Sequence, residues 1–309
     1  MPFDFAAVTA PFRMQPGLRA LTPGASQLTP SRPGDRALGE KLVVLRDHAA
    51  QALVVAPGFD AEPALRRLSE HAAAEHPQAW CWDGQDRLDA PLLGWSLRGD
   101  TVVGDGPAAI GRCLSALPAP WRRAALLCLA FAEDFAVVDG ATARIPWLAV
   151  CLPSHWSPED KVGRHFAEVH APVADNRLLL SASEHLTRLV TGNQRWERFV
   201  WTITPEPRLD MHPQRVGAPR WPADADAESL VAGASFRTER QTFIPLPERR
   251  QAIFTIHVES RPLDEAIRAP GQAAAVHDAL ASMSEAVLAY RGLGSARDRL
   301  LAWLAARTA

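Results

Sequence analysis

The residues with the most chemistry in them lie between Trp147 and Glu259. In Lys161-Val-Gly-Arg164-His165-Phe-Ala-Glu168-Val-His170-Ala-Pro172-Val, His170 stands where a helix should end. Pro172 favours an extended residue before it, so the imidazole projects from a stiff junction. A ring fixed this way suits a metal. It suits equally a helix C-terminal cap or a hydrogen bond in the core. His165 lies five residues earlier, off the same helical face, so the two histidines do not act as a pair.

A second group sits on the segment Phe236-Arg237-Thr238-Glu239-Arg240-Gln241-Thr242-Phe243. If this is a strand, Arg237, Glu239 and Gln241 share one face and Thr238, Arg240 and Thr242 the other. Two readings are open: a solvent-facing edge with a Glu–Arg pair, or a pocket wall that orients a polar ligand or the carboxylate arms of a cofactor, which arginine's fork suits. His257 either extends that wall or sits in the sheet. In Arg195-Trp196-Glu197-Arg198-Phe199-Val200-Trp201, the second tryptophan is either core or a platform for a cofactor. Trp147 and Trp156 share that ambiguity.

These residues need elements to hold them. Phe199, Trp201 and Ile203 alternate with Arg198, Val200 and Thr202, which marks a strand with two unlike faces over Arg198 to Thr204. Further strands are read at Ser235 to Phe243 and Gln251 to Glu259. A hairpin joins Phe135–Asp139 to Ile145–Leu152 around Asp139-Gly140. Five strands over 135–259 should make one antiparallel sheet. It is interrupted by a helix near 158–169, opened by Ser157-Pro158-Glu159-Asp160, and another near 181–191, opened by a capping box in Ser181-Ala-Ser-Glu184.

Upstream, apolar spacing predicts helices over Arg36 to Val55, around Ala64 to His71, and over Ala119 to Glu133. The Trp-, Gly- and Asp-rich stretch 77–105 reads as an irregular cover. Downstream, Gln272–Tyr290 and Ser295–Arg307 read as a helical pair. The expectation is a single α+β domain over 1–309: a mainly helical extension (1–134), a sheet core (135–260) and C-terminal helices (261–309).

Composition removes several function classes. The 309 residues carry 33 basic and 35 acidic side chains, a net charge of -2, with no field to gather nucleic acid or anionic lipid. No apolar run approaches the roughly 20 residues of a membrane span. The opening residues MPFDFAAVTAPF carry acid where a secretory leader carries base, so a cytoplasmic protein is expected. Cys81, Cys113, Cys128 and Cys151 form no C-x-x-C pair and read as small buried apolar residues. G-x-S-x-G, Walker, H-E-x-x-H and dinucleotide-binding signatures are missing.

Taken in order, Pro11-Phe-Arg-Met-Gln-Pro-Gly17-Leu-Arg19, Glu133-Asp134, Cys151-Leu-Pro153-Ser154-His155-Trp156, Lys161-Val-Gly163, His170-Ala-Pro172-Val, Arg198 to Trp201, Arg237-Thr-Glu239-Arg240-Gln241-Thr242, Leu246-Pro247 and Ile253-Phe-Thr-Ile256 resemble the haem-dependent oxidative N-demethylases, a family of bacterial proteins. The chain departs from that pattern at Val200, where asparagine is common, and in Gln15-Pro16 ahead of Gly17. The resemblance implies a PAS-like antiparallel sheet around haem b, with His170 as axial iron ligand and Arg198, Arg240 and Trp201 beside the cofactor. It implies Arg237, Glu239 and Gln241 as catalytic candidates. The reaction implied is that of a monooxygenase that converts a small secondary amine, with oxygen, to a primary amine and formaldehyde. Electrons would arrive from a separate flavin reductase and iron–sulfur donor. A haem-binding sensor or carrier without turnover, or a relative that has lost haem and binds another small ligand, are the alternatives on the same fold.

Overall fold

The computed structural model describes residues 3–218 and 220–308. Its frame is an antiparallel sheet whose two longest strands pair without a break. These strands, Ser235–Leu246 and Gln251–Pro262, run in register from Ser235 opposite Pro262 to Leu246 opposite Gln251. Two contacts on opposite faces lock that register. Phe243 stacks on Phe254 with ring centroids 4.9 Å apart, and the hydroxyls of Thr242 and Thr255 meet at 2.7 Å. Sliding by one residue would turn both pairs to the wrong side.

In chain order the strands are β1 (Arg19–Ala20), β2 (Leu53–Val55), β3 (Cys81–Trp82), β4 (Arg87–Ala90), β5 (Trp95–Arg98), β6 (Thr101–Gly104), β7 (Asp134–Asp139), β8 (Arg144–Ala149), β9 (Trp196–Thr204), β10 (Ser235–Leu246) and β11 (Gln251–Pro262). The main sheet has the order β1-β9-β10-β11-β7-β8-β2. The strands expected over 135–259 do lie in one antiparallel sheet, and β1 and β2, which were not foreseen, close its two edges.

The helices are α1 (Arg36–Asp47), α2 (Ala49–Ala52), α3 (Glu62–Glu75), α4 (Ala108–Ala116), α5 (Ala119–Ala130), α6 (Phe166–His170), α7 (Arg177–Ser181), α8 (Ser183–Val190), α9 (Ala227–Ala232), α10 (Leu263–Ala266), α11 (Pro270–Ala281), α12 (Glu285–Tyr290) and α13 (Arg297–Ala305). The α+β class holds. No helix among the described residues is long and apolar enough to cross a membrane.

Several expectations need correction. The stretch 77–105 is a second antiparallel sheet, β3-β4-β5-β6. Its strands are two to four residues long, too short to display a period, and cross-strand polar pairs help to hold them. Asp89, for instance, accepts from Ser96, Arg87 and Arg98. Residues 1–134 thus carry six short strands beside the five helices that make up most of their regular structure. The helix expected over 36–55 stops at Asp47, and Leu53–Val55 joins the main sheet beside β8, because β-branched apolar residues gain more on a pleated face. The C-terminal pair is three helices, since Ser284 caps α12 through the Val287 N–H and breaks the long run.

Each face of the main sheet is covered differently. On one face α8 packs Val190 against Val138, Phe243 and Ala252. On the other, α9 to α13 and the N-terminal Phe3, Phe5 and Phe12 enclose Trp201, Ile203 and Phe236. The first face carries the polar residues that follow.

Candidate functional site

The single helix expected from Ser157 is not formed. Pro158–Asp160 makes one 3-10 turn, Gly163 breaks the path at φ 72°, and α6 begins only at Phe166. Ser157 caps nothing. His165 is the cap: its Nδ1 accepts the Ala167 N–H at 3.2 Å, and the Glu168 carboxylate accepts the His165 N–H at 2.8 Å. That use of its ring removes His165 as a competitor for a metal. Nor does Ser181-Ala-Ser-Glu184 make a capping box, because Ala182 stands at the N-cap of α8. Ala171 keeps a helical conformation in spite of Pro172, so the stiffness at this junction has another source. Asn176 supplies it by donating to the carbonyls of His170 and Ala171 at 3.2 and 2.8 Å.

Two contacts with Phe166 fix the His170 ring. Its Nδ1 lies 2.8 Å from the Phe166 carbonyl, and its ring rests on the Phe166 ring with centroids 4.1 Å apart. A carbonyl only accepts, so Nδ1 carries the proton and the lone pair is on Nε2. Nε2 has no hydrogen-bond partner among the described residues. Burial drives the pKa of this ring down to about 4, with the charges of Arg198 and Lys161 adding to the effect and the Phe166 bond opposing it. Near neutrality His170 is therefore an uncharged imidazole with an unengaged Nε2, the state a metal ligand needs.

The sheet supplies the facing wall. Register puts Gln241 opposite Arg198 and Glu239 opposite Val200, so all four side chains share the face covered by α8. Gln241 donates to Glu239 at 2.6 Å, the Ser154 hydroxyl donates to the other oxygen of the same carboxylate, and Arg237 Nε donates to Ser154 Oγ at 2.8 Å. Arg198 links this chain to the histidine. Burial lowers its pKa, the Glu239 carboxylate opposes that, and its Nε is buried without a partner.

Arg237 shares the face, but its donors are spent. They reach the carbonyls of Arg208 and Leu209 at 2.9 Å and those of Leu152 and Pro153 at 3.4 Å, and the residue is 2% exposed. It ties the Leu152–Ser154 and Arg208–Leu209 segments together and has little left for a ligand. Arg240 and Trp201 lie on the opposite face. Arg240 pairs with Glu197 at 3.0 Å and donates to Ser26, while Trp201 stacks on Phe236 with centroids 5.8 Å apart. The residues expected beside a cofactor are thus split by the sheet: Arg198 is on the side where its charge acts on His170, and Arg240 and Trp201 face away. His257 also faces away, near Glu133 at 3.2 Å.

Sequence reading missed Tyr290, the one tyrosine in the chain, at the end of α12. It is 50% exposed, and burial raises its pKa, with Glu239 raising it further and Arg291 opposing. Its rarity was a usable signal. Ser154 falls in the Cys151–Trp156 segment of the resemblance, but nothing in its local spacing marked its role, which rests on partners 83 and 85 positions away.

The buried trio Cys128, Asp134 and Cys151 brings its ligand atoms within 4.8 Å of one another. Lys41 sits on it, with Nζ 3.1 Å from Asp134, while the second Asp134 oxygen accepts the N–H groups of Cys151 and Leu152. An ammonium already balances the carboxylate, and a hydrogen bond with Cys128 together with burial pushes the Cys151 thiol up, away from the thiolate a metal requires. The trio is core. Cys81, expected to be buried, is exposed.

The described residues define an α+β protein whose antiparallel sheet carries Arg198, Glu239 and Gln241 on one face, with a neutral histidine, His170, near enough for the Arg198 charge to act on it. A family model described as haem-dependent oxidative N-demethylase, alpha subunit-like, matches residues 113–301, and the chain belongs to that family. The match contains α6, the main-sheet strands β7 to β11 and Tyr290; the Pro11–Arg19 segment lies outside it.

Proposed function

We propose that this chain is a haem-dependent oxidoreductase of the oxidative N-demethylase type, with a PAS-like cradle and His170 as the axial ligand of haem b. The observation that carries the reading is the unengaged Nε2 of a neutral, immobilised His170. The residues present fit the group in two further ways. Val200, Ile256 and Val258 share the face with His170's wall by register and give it apolar surface, and Arg198 has a buried donor without a partner. Bound haem would supply the oxygen activation and electron transfer that oxidise an N-methyl group.

The protein's own part is to bind and orient. A small secondary amine is cationic near neutrality, and Glu239, fixed by Ser154 and Gln241, offers it a carboxylate in a set position. The same carboxylate can take the ammonium proton and so expose the nitrogen lone pair. Gln241 holds Glu239 and is a positioning residue; Arg237 holds Ser154 and is one shell further out. Electrons would come from separate flavin and iron–sulfur proteins, in keeping with the family's description as an alpha subunit. A reducing cytoplasm suits the four free cysteines.

The test is haem titration of the purified protein followed by its Soret absorption. Wild type should bind one haem, and His170→Ala should lose at least about tenfold in affinity, the usual scale for removing support at a metal site, with its circular dichroism unchanged. An unchanged Soret band in His170→Ala would end the assignment. Glu239→Gln should keep haem but lose formaldehyde production from dimethylamine. Haem binding with no turnover of any secondary amine in the wild type would favour the sensor or carrier.

A further inference from the structure

Beside the part of β9 that the two-residue β1 leaves uncovered, between the N-terminal segment and α7, lies a recess of about 260 Å³. Arg13, Arg19, Arg198 and Arg291 line it, and no carboxylate does. Arg19 is already neutralised by Asp4 at 2.6 Å and Glu197 at 3.0 Å. The other three form no ion pair among the described residues.

Arg291 is the most telling of them. Its guanidinium lies against two mutually perpendicular rings, Phe12 at 4.6 Å and Trp201 at 5.6 Å. In its plane, one Nη donates to the Trp201 carbonyl, the other meets Met14 Sδ at 3.8 Å, and Nε is buried with no partner. Burial without a counter-charge brings its pKa down to about 10. Arg198 repeats the pattern with a second orphaned Nε. Two desolvated cations, each with an unused Nε donor, are costly, and an anion arriving between them would use both.

We propose that this recess binds an oxyanion, the carboxylate or phosphate group of a small molecule, between Arg198 and Arg291 with Arg13 at its mouth. Planar guanidinium forks match such groups. The volume is below the roughly 300–1,000 Å³ of a site for a whole drug-sized ligand, so it fits a small anion or the anionic end of a larger molecule. The inference shares Arg198 with the haem reading but stands without it, because Arg13 and Arg291 have no part in that reading.

The experiment is calorimetric titration of the purified full-length chain with inorganic phosphate and with succinate, against chloride at matched ionic strength. One saturable site is expected. Arg291→Gln should weaken it by at least about tenfold, the worth of one hydrogen bond to a charged group. Arg13→Ala changes an exposed residue and leaves folding untouched; it should cost about threefold, the effect of a screened charge. If Arg291→Gln fails to fold, wild type and Arg13→Ala still decide. No saturable binding to wild type, or binding that both variants leave unchanged, overturns the proposal. Repeating the titration on haem-loaded protein separates two sources of the same chemistry: phosphate excluded by haem assigns the site to the cofactor's own carboxylates, and phosphate that still binds assigns it to a free anion. His170→Ala should bind phosphate as wild type does, so failure of the haem reading and failure of this one are distinguishable.

Discussion

At the scale of single residues, the decisive feature of His170 is that folding keeps its proton off. Its pKa falls from an ordinary 6.5 to about 4, so between those values the unfolded chain binds a proton that the folded chain refuses. Stability must then fall as pH drops from 6.5 towards 4 and be independent of this group above 6.5. His170→Gln should flatten that acid-side fall; melting temperatures that track wild type from pH 7 to 4 would show the ring is not held neutral. Arg237 makes a contrasting case. Arg237→Met strands several buried carbonyls and should cost about 3–5 kcal/mol in urea unfolding, the range for breaking a buried charged network, while haem affinity in the folded fraction stays the same. A stable variant with lost haem would reverse its assignment from tie to ligand contact. The sequence made His170 legible through its place at a helix end, and period two put Arg237, Glu239 and Gln241 on one face. It could not reveal that Arg237 is consumed by Ser154, Arg208 and Leu209, or that His165 acts as a cap, because those partners are set by loops without a period.

Among the elements, legibility followed length. β10 and β11, each twelve residues, declare their alternation, whereas β3 to β6 never run long enough to do so. The junction of α1 with β7 was equally hidden: Lys41 reads as a surface lysine on an amphipathic helix, yet it is buried and donates to the carbonyls of Cys128, Phe131 and Glu133 besides pairing with Asp134. Lys41→Met would leave Asp134 as an uncompensated buried charge, at about 3–5 kcal/mol. A loss under 1 kcal/mol would mean the carboxylate is protonated in the fold. Where β7 turns towards β8, a Cβ on Gly140 would stand 2.2 Å from Thr191 Oγ1 at the end of α8. Gly140→Ala should therefore destabilise by about 1–3 kcal/mol, the cost of overpacking, and shift the helix that covers the site.

Across the whole molecule, hydrogen exchange should follow the strand order. Amides of β10, paired on both sides, should be among the slowest and those of Arg19–Ala20 faster by orders of magnitude; uniform rates would contradict the sheet as described. The order β1-β9-β10-β11-β7-β8-β2 also bears on time. Both edge strands belong to the first 55 residues, but the edge that β1 covers is laid down only when β9 emerges, almost 180 residues after it. A ribosome adding on the order of 5–20 residues per second delivers that partner roughly ten or more seconds late. In the interval the segment around Arg19 has nothing to pair with, and so a nascent chain halted before residue 196 should leave it open to protease, while one released after residue 262 should protect it. The segment made first settles last.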